Sequence, residues 1–274
     1  MRFLKSVIEG TTLAVIYRVT RDELRFAGQK FEATPFGYRF AGQLKMQDGS
    51  FEPEERAIIQ QYLASADVFV DIGADIGYFT CLACSMGRHV IAVEPHPGNL
   101  RYLYANLQVN GWKDGVEIYP VGLADRPGLA TFYGAGTGAS LVHGWAGVSS
   151  SFQQTIPLST LDILLGDRFR GKQIVIKMDV EGAEYAALLG ASNILQAVPR
   201  PTWLVEITLS EHRQGELNPH FLDTFEIFWS FGYKARAVGQ HSRDISHCEI
   251  EEYANTGIKP DWATGNYLFY NESS

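Results

Sequence analysis

The sequence is short of several things, and each shortage removes a class of protein. Three cysteines in 274 residues are too few for a disulfide-stapled secreted scaffold and fit a reducing, cytoplasmic setting. No apolar run reaches membrane-spanning length. The N-terminal stretch MRFLKSVIEGTTLAVIYRV is interrupted by Lys5, Glu9 and Gly10, and no cleavage site follows it. It reads as an amphipathic segment, a candidate dimer contact or lid. Positive charge is in deficit, with 23 Lys and Arg against 31 Asp and Glu and a net charge of −8. A nucleic-acid partner would call for a basic face. Internal repeats and low-complexity tracts are absent too.

What remains is an ordinary globular composition, long enough for one large α/β domain with an added segment. Residues 1–50 read as an N-terminal cap and 51–274 as the main domain. Pro53 opens a helix with acids in its first turn, where the helix dipole favours them. Apolar strands then alternate with helices. Val68–Asp71 is a strand, Tyr78–Met86 a helix, and HVIAVEP a second strand ending at Glu94. A helix from Pro97 stops at Asn110-Gly111, and VEIYPVGLAD reads as a third strand. GLATFYG, a long Gly/Ser-rich loop and TIPLSTLDILL interrupt the alternation, with Ser159 or Thr160 as a helix cap. It resumes with QIVIKMDVEGAEYAALLG and TWLVEIT, then a helix carrying Phe221, Phe225, Phe228 and Trp229, an aromatic stripe best read as core. YKARAV and NYLFY close the chain as an antiparallel edge, with no convincing helix between them. The implied fold is α/β, a doubly wound and mostly parallel sheet.

The stretch VFVDIGADIGYFT carries the chemistry. No Gly-x-Gly-x-x-Gly stands on this strand-to-helix turn, so the pyrophosphate cradle of a dinucleotide site is missing. The glycines are Gly73 and Gly77, and Asp75 between them would repel a phosphate. An acid there suits an amino group or another positive charge. Glu94 ends the next strand, 23 residues after Asp71, where a carboxylate accepts from ribose hydroxyls. A cationic, aminoacyl-bearing riboside without phosphates is S-adenosylmethionine. A plain Asp-x-Gly turn at a strand end is the structural alternative.

With those residues in view, FVDIGADIGYFT, AVEPHPGNLRYLYANLQVNG, STLD, IKMDVEGAEYAALLGA and the later EI resemble the FkbM-type S-adenosylmethionine-dependent methyltransferases. The resemblance runs over about residues 35–270, and TPFG and FEPEE upstream share it. It implies a Rossmann-like class I methyltransferase sheet of seven strands and an O-methyltransferase acting on a sugar or other small-molecule hydroxyl. By position it implies that Asp71, Gly73, Asp75, Gly77 and Tyr78 surround the methionyl part of the cofactor. Glu94 and Pro95 would take the ribose, and Gly122, Leu123 and Asp125 would lie near the adenine. Asp75 stands where the family commonly has Asn, which keeps a hydrogen-bonding side chain and adds a charge.

A hydroxyl nucleophile must lose its proton, so a base or a metal is needed. Asp179 follows the fourth strand and is the first candidate. Glu206 ends the adjacent strand, and His212 lies in the loop after it. Asp179 and Glu206 suit a base with an orienting acid, or two oxygen ligands of a divalent cation; no metal set is assigned. Asp179 could instead cap the next helix, with Glu181 and Glu184 on its dipole. Lys177, mid-strand on the same face as Asp179, needs an acid partner. His143 and Trp145 are candidates to close over substrate. Cys81 and Cys84 read as core thiols rather than a zinc or redox pair, and the His241 and His247 region is too sparse for a metal site. The expected partner is a small molecule or carbohydrate, with no nucleic acid and no membrane. The rivals are a methyltransferase acting on a macromolecule, a catalytically silent binding module, and a nicotinamide-dependent oxidoreductase.

Overall fold

The computed structural model describes residues 30–134, 139–145, 153–211, 216–239 and 242–271. The chain enters through a two-stranded ribbon, β1 (Glu32–Ala33) and β2 (Arg39–Phe40), then α1 (Leu44–Asp48) and α2 (Pro53–Leu63). The alternating part runs β3 (Val68–Ile72), α3 (Tyr78–Ser85), β4 (His89–Val93), α4 (Pro97–Val109) and β5 (Val116–Tyr119). A side sheet holds β6 (Gly122–Leu123), β7 (Gly128–Tyr133) and β8 (Gln153–Ser159), in the order β6-β8-β7. The chain returns through α5 (Leu161–Leu165), β9 (Ile174–Met178), α6 (Glu184–Leu189), α7 (Ser192–Leu195) and β10 (Thr202–Glu206). It ends with α8 (Phe221–Ser230), β11 (Lys234–Ala237), β12 (Arg243–Ile245), α9 (His247–Thr256) and β13 (Asn266–Tyr270).

The large sheet has the order β12-β11-β13-β10-β9-β3-β4-β5. The run from β10 to β5 is parallel, and β13 lies antiparallel between β10 and β11. Strand order reverses between β3 and β9: the chain works outward to β5, then crosses back to start again beside β3. Both sheet faces are covered, so the strands read as nearly continuous apolar runs. Val68, Val70 and Ile72 face the layer of α5 to α9, and Phe69 faces the layer of α2, α3 and α4. The described part of the cap joins that second layer through Tyr38, Phe40 and Met46. Two side-chain amides, Asn106 of α4 and Asn110 at its C-cap, hold it in register: Asn106 bonds Ala41 N and O, and Asn110 bonds Arg39 N and O.

Three details depart from the sequence reading. VEIYPVGLAD is two strands in two sheets, because Pro120 has no N–H to continue the ladder of β5. The large sheet has eight strands among the described residues, the extra one being the short edge strand β12. A helix, α9, does lie between the last long strands. Only Ile250 and Tyr253 of it are buried, so its apolar period is weak; its signal is the Ser246–Glu249 capping box. Thr160, rather than Ser159, caps α5 by accepting from Ile163 N. Cys81 is fully buried in the α3 layer, and burial pushes the Cys84 thiol up to about 12.

The phase of β3 and β9 puts two charges inside. Asp71 and Lys177 are register partners on the face covered by α3. Thr80 donates to Asp71 at 2.6 Å, Lys177 Nζ lies 4.9 Å from the Phe79 ring centre, and its hydrogen bond goes to Asp179 Oδ2 at 3.0 Å. Burial alone would lower the lysine's pKa; Asp179, Glu52 and Asp71 together raise it, so it stays charged. Lys177→Met strands these acids in the interior. Urea unfolding should show a loss of about 3–5 kcal/mol, partly recovered by adding Asp71→Asn; an unchanged midpoint would show that the lysine does not hold the interior together.

Candidate functional site

Ligands of open α/β sheets sit at the carboxyl ends of the strands where the order reverses. Here that place is the mouth between β3 and β9, and the backbones touch there. Asp179 N donates to Ile72 O at 2.9 Å. Gly73 has φ +78°, and a Cβ on it would lie 1.8 Å from Asp179 O. No side chain fits, so glycine is required for the two strand exits to lie side by side.

Glu94 anchors the other side of the mouth. Its Oε2 accepts from Asp75 N at 2.9 Å; its Oε1 accepts from His96 N at 2.7 Å and Asn99 Nδ2 at 3.3 Å. A carboxylate at the end of β4 thus fixes the Gly-rich turn after β3. The side chain of Asp75 is not used in this way: its Oδ1 is buried without a hydrogen-bond partner among the described residues. An orphaned buried acceptor is costly unless a ligand supplies the donor.

A cleft of about 410 Å³ opens over these groups. Gly73, Asp75, Glu94, Pro95, Gly122 and Leu123 line it from the β3, β4 and β6 ends; Asp179 and Glu206 line it from β9 and β10. Asp71, Gly77 and Tyr78 lie behind the wall. Asp71 sits below the turn on Thr80, and Tyr78 packs edge-on against Phe40, Phe51 and Phe79. Asp125 is exposed beside Arg126, away from the cleft. His212 and His241 lie outside the described residues.

The segment before β3 supplies lining groups that the sequence does not announce, from residues 43–46 and from the turn into α2. Gln43, Met46, Phe51 and Glu52 form one side, and Glu181 joins Asp179 on the other. Among the described residues only three non-glycine residues have positive φ: Glu52 (41°), Asp75 (48°) and Glu181 (54°). All three are acids, and all three line the cleft. Strained backbone gathered in this way marks a functional site.

Asp179 does not cap α6. The N-cap is Ala183 with no side-chain bond, and Glu184 Oε1 takes the N–H groups of Val180 and Gly182 at 3.3 and 3.0 Å. The 139–145 segment is fastened to the same turn. Trp145 Nε1 donates to Glu181 Oε2 at 2.6 Å, and Ser140 Oγ donates to Glu181 O. The Trp145 ring lies flat enough against Gly182 that a Cβ there would meet it at 2.5 Å. Trp145 is therefore a buried brace, while His143 is exposed against Tyr133.

Crowded acids out of water hold their protons. Burial, then the charge of Asp75, pushes Glu94 up to about 8 against the pull of its amide donors. Burial raises Glu52, Asp75 and Glu181 to about 7 each, with Asp179 adding to every one. Burial and the hydrogen-bonded charge of Asp179 push Glu206 up to about 11, so this pair shares a proton at neutral pH. No group of three metal-ligating side chains suited to a metal ion occurs among the described residues.

A family model, the methyltransferase FkbM domain, matches residues 71–235. The chain belongs to the FkbM methyltransferase family. A curated relative, the hexuronic acid methyltransferase AglP of Haloferax volcanii, is 32% identical over 149 residues, covering 53% of this chain and 59% of that protein. This FkbM chain thus spans a little under two thirds of that relative's length. Among solved structures it is similar to the FkbM methyltransferase of Methylobacillus flagellatus (18% identity, TM-score 0.45, 75% of this chain and 44% of the other). An O-methyltransferase of Bacillus cereus is similar too (12% identity, TM-score 0.41, 80% of each chain).

The acids give the FkbM site a pH signature. Each raised carboxyl binds a proton in the folded chain that the unfolded chain releases at ordinary carboxylate pH. Their contribution to stability is complete below that range and is lost as pH rises through about 7–8. Oppositely shifted acids such as Glu249, held down to about 2 by Arg243 and Ser246, act only at lower pH. The ligand-free protein should therefore melt at progressively lower temperature from pH 5 to pH 8, and Glu94→Gln should flatten that slope. A melting temperature that rises over this window would contradict the assignment.

Proposed function

We propose that the protein is an S-adenosylmethionine-dependent O-methyltransferase acting on a hydroxyl of a sugar or other small molecule. One observation carries the cofactor assignment: the buried, unpartnered Oδ1 of Asp75 beside Glu94 at the strand switch, in a cleft whose charged lining among the described residues is entirely acidic. These residues fit a ligand with an ammonium group, a sulfonium and ribose hydroxyls. Asp75 is the acceptor for an N–H or O–H donor. The carboxylate of Glu94 keeps lone pairs for ribose hydroxyls beyond its amide bonds. Gly73 and Pro95 give close backbone approach, and Gly122 with Leu123 offers a flat apolar seat for a base. Asp71, Gly77 and Tyr78 act from behind by shaping the turn.

The cofactor supplies an electrophilic methyl group on a positive sulfur. The protein's part is alignment and proton removal. Asp179 is the base: its carboxylate lines the cleft, held by Lys177 on one side and by the proton shared with Glu206 on the other. Glu206, which already carries the shared proton, orients Asp179 by donating it a hydrogen bond, and the substrate's proton goes to Asp179, leaving both members of the pair protonated until Asp179 releases its proton to solvent. The sugar class draws support from AglP, whose name specifies a hexuronic acid, and from a cleft rich in hydrogen-bonding carboxyls.

Calorimetric titration of the wild type should show binding of S-adenosylmethionine and S-adenosylhomocysteine and none of NAD. Glu94→Ala should weaken both sulfur nucleosides by about tenfold or more. Asp179→Asn should still bind them but lose methyl transfer by about 10²–10⁴-fold. Binding of NAD, or full turnover by Asp179→Asn, would contradict the proposal.

A further inference from the structure

The cleft has two ends of different make. One is bounded by Glu94, Pro95 and Gly122 where β4 and β6 finish, and on the proposed function it takes the nucleoside. The other is bounded by Glu52, Asp179, Glu181 and Glu206, where the turn into α2 meets the ends of β9 and β10. Four carboxyl groups face the space left for the acceptor.

Three of these carboxyls are held by side-chain hydrogen bonds, and the fourth, Glu52, is placed by its backbone. Glu181 is tied by Trp145 Nε1 at 2.6 Å, and its backbone is tied by Ser140. Asp179 is tied to Lys177 at 3.0 Å, and Glu206 is hydrogen-bonded to Asp179. Glu52 precedes the proline that opens α2 and sits in a left-handed conformation, with its carbonyl accepting from Arg56 N. Rotating the carboxyl of Asp179, Glu181 or Glu206 away would break a hydrogen bond. Lys177, the cation beneath them, is 6% exposed and already paired, so it offers no free positive charge to an incoming anion.

We infer that the acceptor is an uncharged sugar and not a hexuronate. This rests on the proposed methyl transfer to a hydroxyl and narrows its substrate class. A wall of carboxyls, some carrying a proton and some not, both accepts from and donates to the hydroxyls of a neutral pyranose. The same wall places like charges against a carboxylate substituent, a juxtaposition that weakens binding in a partly desolvated site. Specificity would come from repulsion as much as from attraction.

The test uses the full chain loaded with S-adenosylhomocysteine at pH 8. It is titrated with a matched pair, a methyl hexopyranoside and the methyl hexopyranosiduronate of the same configuration, in the gluco, galacto and manno series. The neutral glycoside of at least one series should bind about tenfold or more tighter than its uronate. Glu181→Gln and, separately, Glu52→Gln should narrow that gap by about fivefold, read as the ratio of the two dissociation constants measured on the same variant, so that a general loss of sugar binding cancels. Two variants on different elements keep a folding defect in one from deciding the matter. A uronate that binds as well as or better than its neutral partner, or no binding by any neutral sugar, overturns the inference. Uptake of S-adenosylhomocysteine in the same samples separates that outcome from failure of the methyltransferase reading, under which the loading itself would not occur.

Discussion

Everything at the mouth of this sheet depends on one buried cation. Lys177 sits on β9 beside Asp71 of β3 and reaches Asp179 at the strand exit. Without it, the strand switch would gather only negative charge: Asp71, Asp75, Asp179, Glu52, Glu181 and Glu206 are all coupled to one another or to this lysine. Burial of so many acids is unfavourable on its own. The chain meets that cost in two ways. It charges the lysine firmly, and it keeps several carboxyls protonated near neutrality. One lysine does not balance six acids, so the site still takes up protons, and a cationic ligand can replace them.

The same constraint explains the local backbone. Gly73 is there because the Asp179 carbonyl occupies the space of its Cβ, and that contact brings the two acidic turns together. Glu52, Asp75 and Glu181 hold left-handed conformations, each aiming an acid into one cleft from a different element. Trp145 and Ser140 brace Glu181 from the side sheet and its following segment, so the acceptor wall is built by chain segments remote in sequence. FkbM family membership fits this arrangement, and the acid-rich geometry adds what membership alone does not: an electrostatic reason for the class of ligand.

Much of the frame was legible in the sequence because it is written in local patterns. Apolar runs ending in Asp71, Glu94, Asp179 and Glu206 marked four strands and their exits, and Pro97 and Thr160 marked helix starts. The Asp71–Gly77 turn and Glu94 were read together from the sequence, and the structure joins them through the Asp75 N to Glu94 hydrogen bond. The need of Lys177 for an acid partner followed from its place mid-strand, and the structure pairs it with Asp179. The rest was hidden for physical reasons. Glu52 reaches the cleft from the left-handed turn that opens α2, which no local period encodes. Asp71 looked like a lining residue, yet strand phase turns its side chain under the turn toward Thr80. The sequence was read straight through Pro120 as one strand, because joining a second sheet there is a long-range pairing with β8 that no local pattern shows. Helix α9 was masked by a mostly polar sequence whose order comes from its capping box.

The central claim is that the cleft binds a cation by exchanging it for protons held on crowded acids. It is tested most directly by calorimetric titration with S-adenosylmethionine between pH 5.5 and pH 7 in buffers of different ionisation enthalpy, a window below the range in which an α-amino group titrates, about 7.7–8.0. Because the ligand favours the charged carboxylates, binding should release protons, and affinity should rise as pH increases. Affinity that is flat or falls across this window, with no proton release, would contradict the claim.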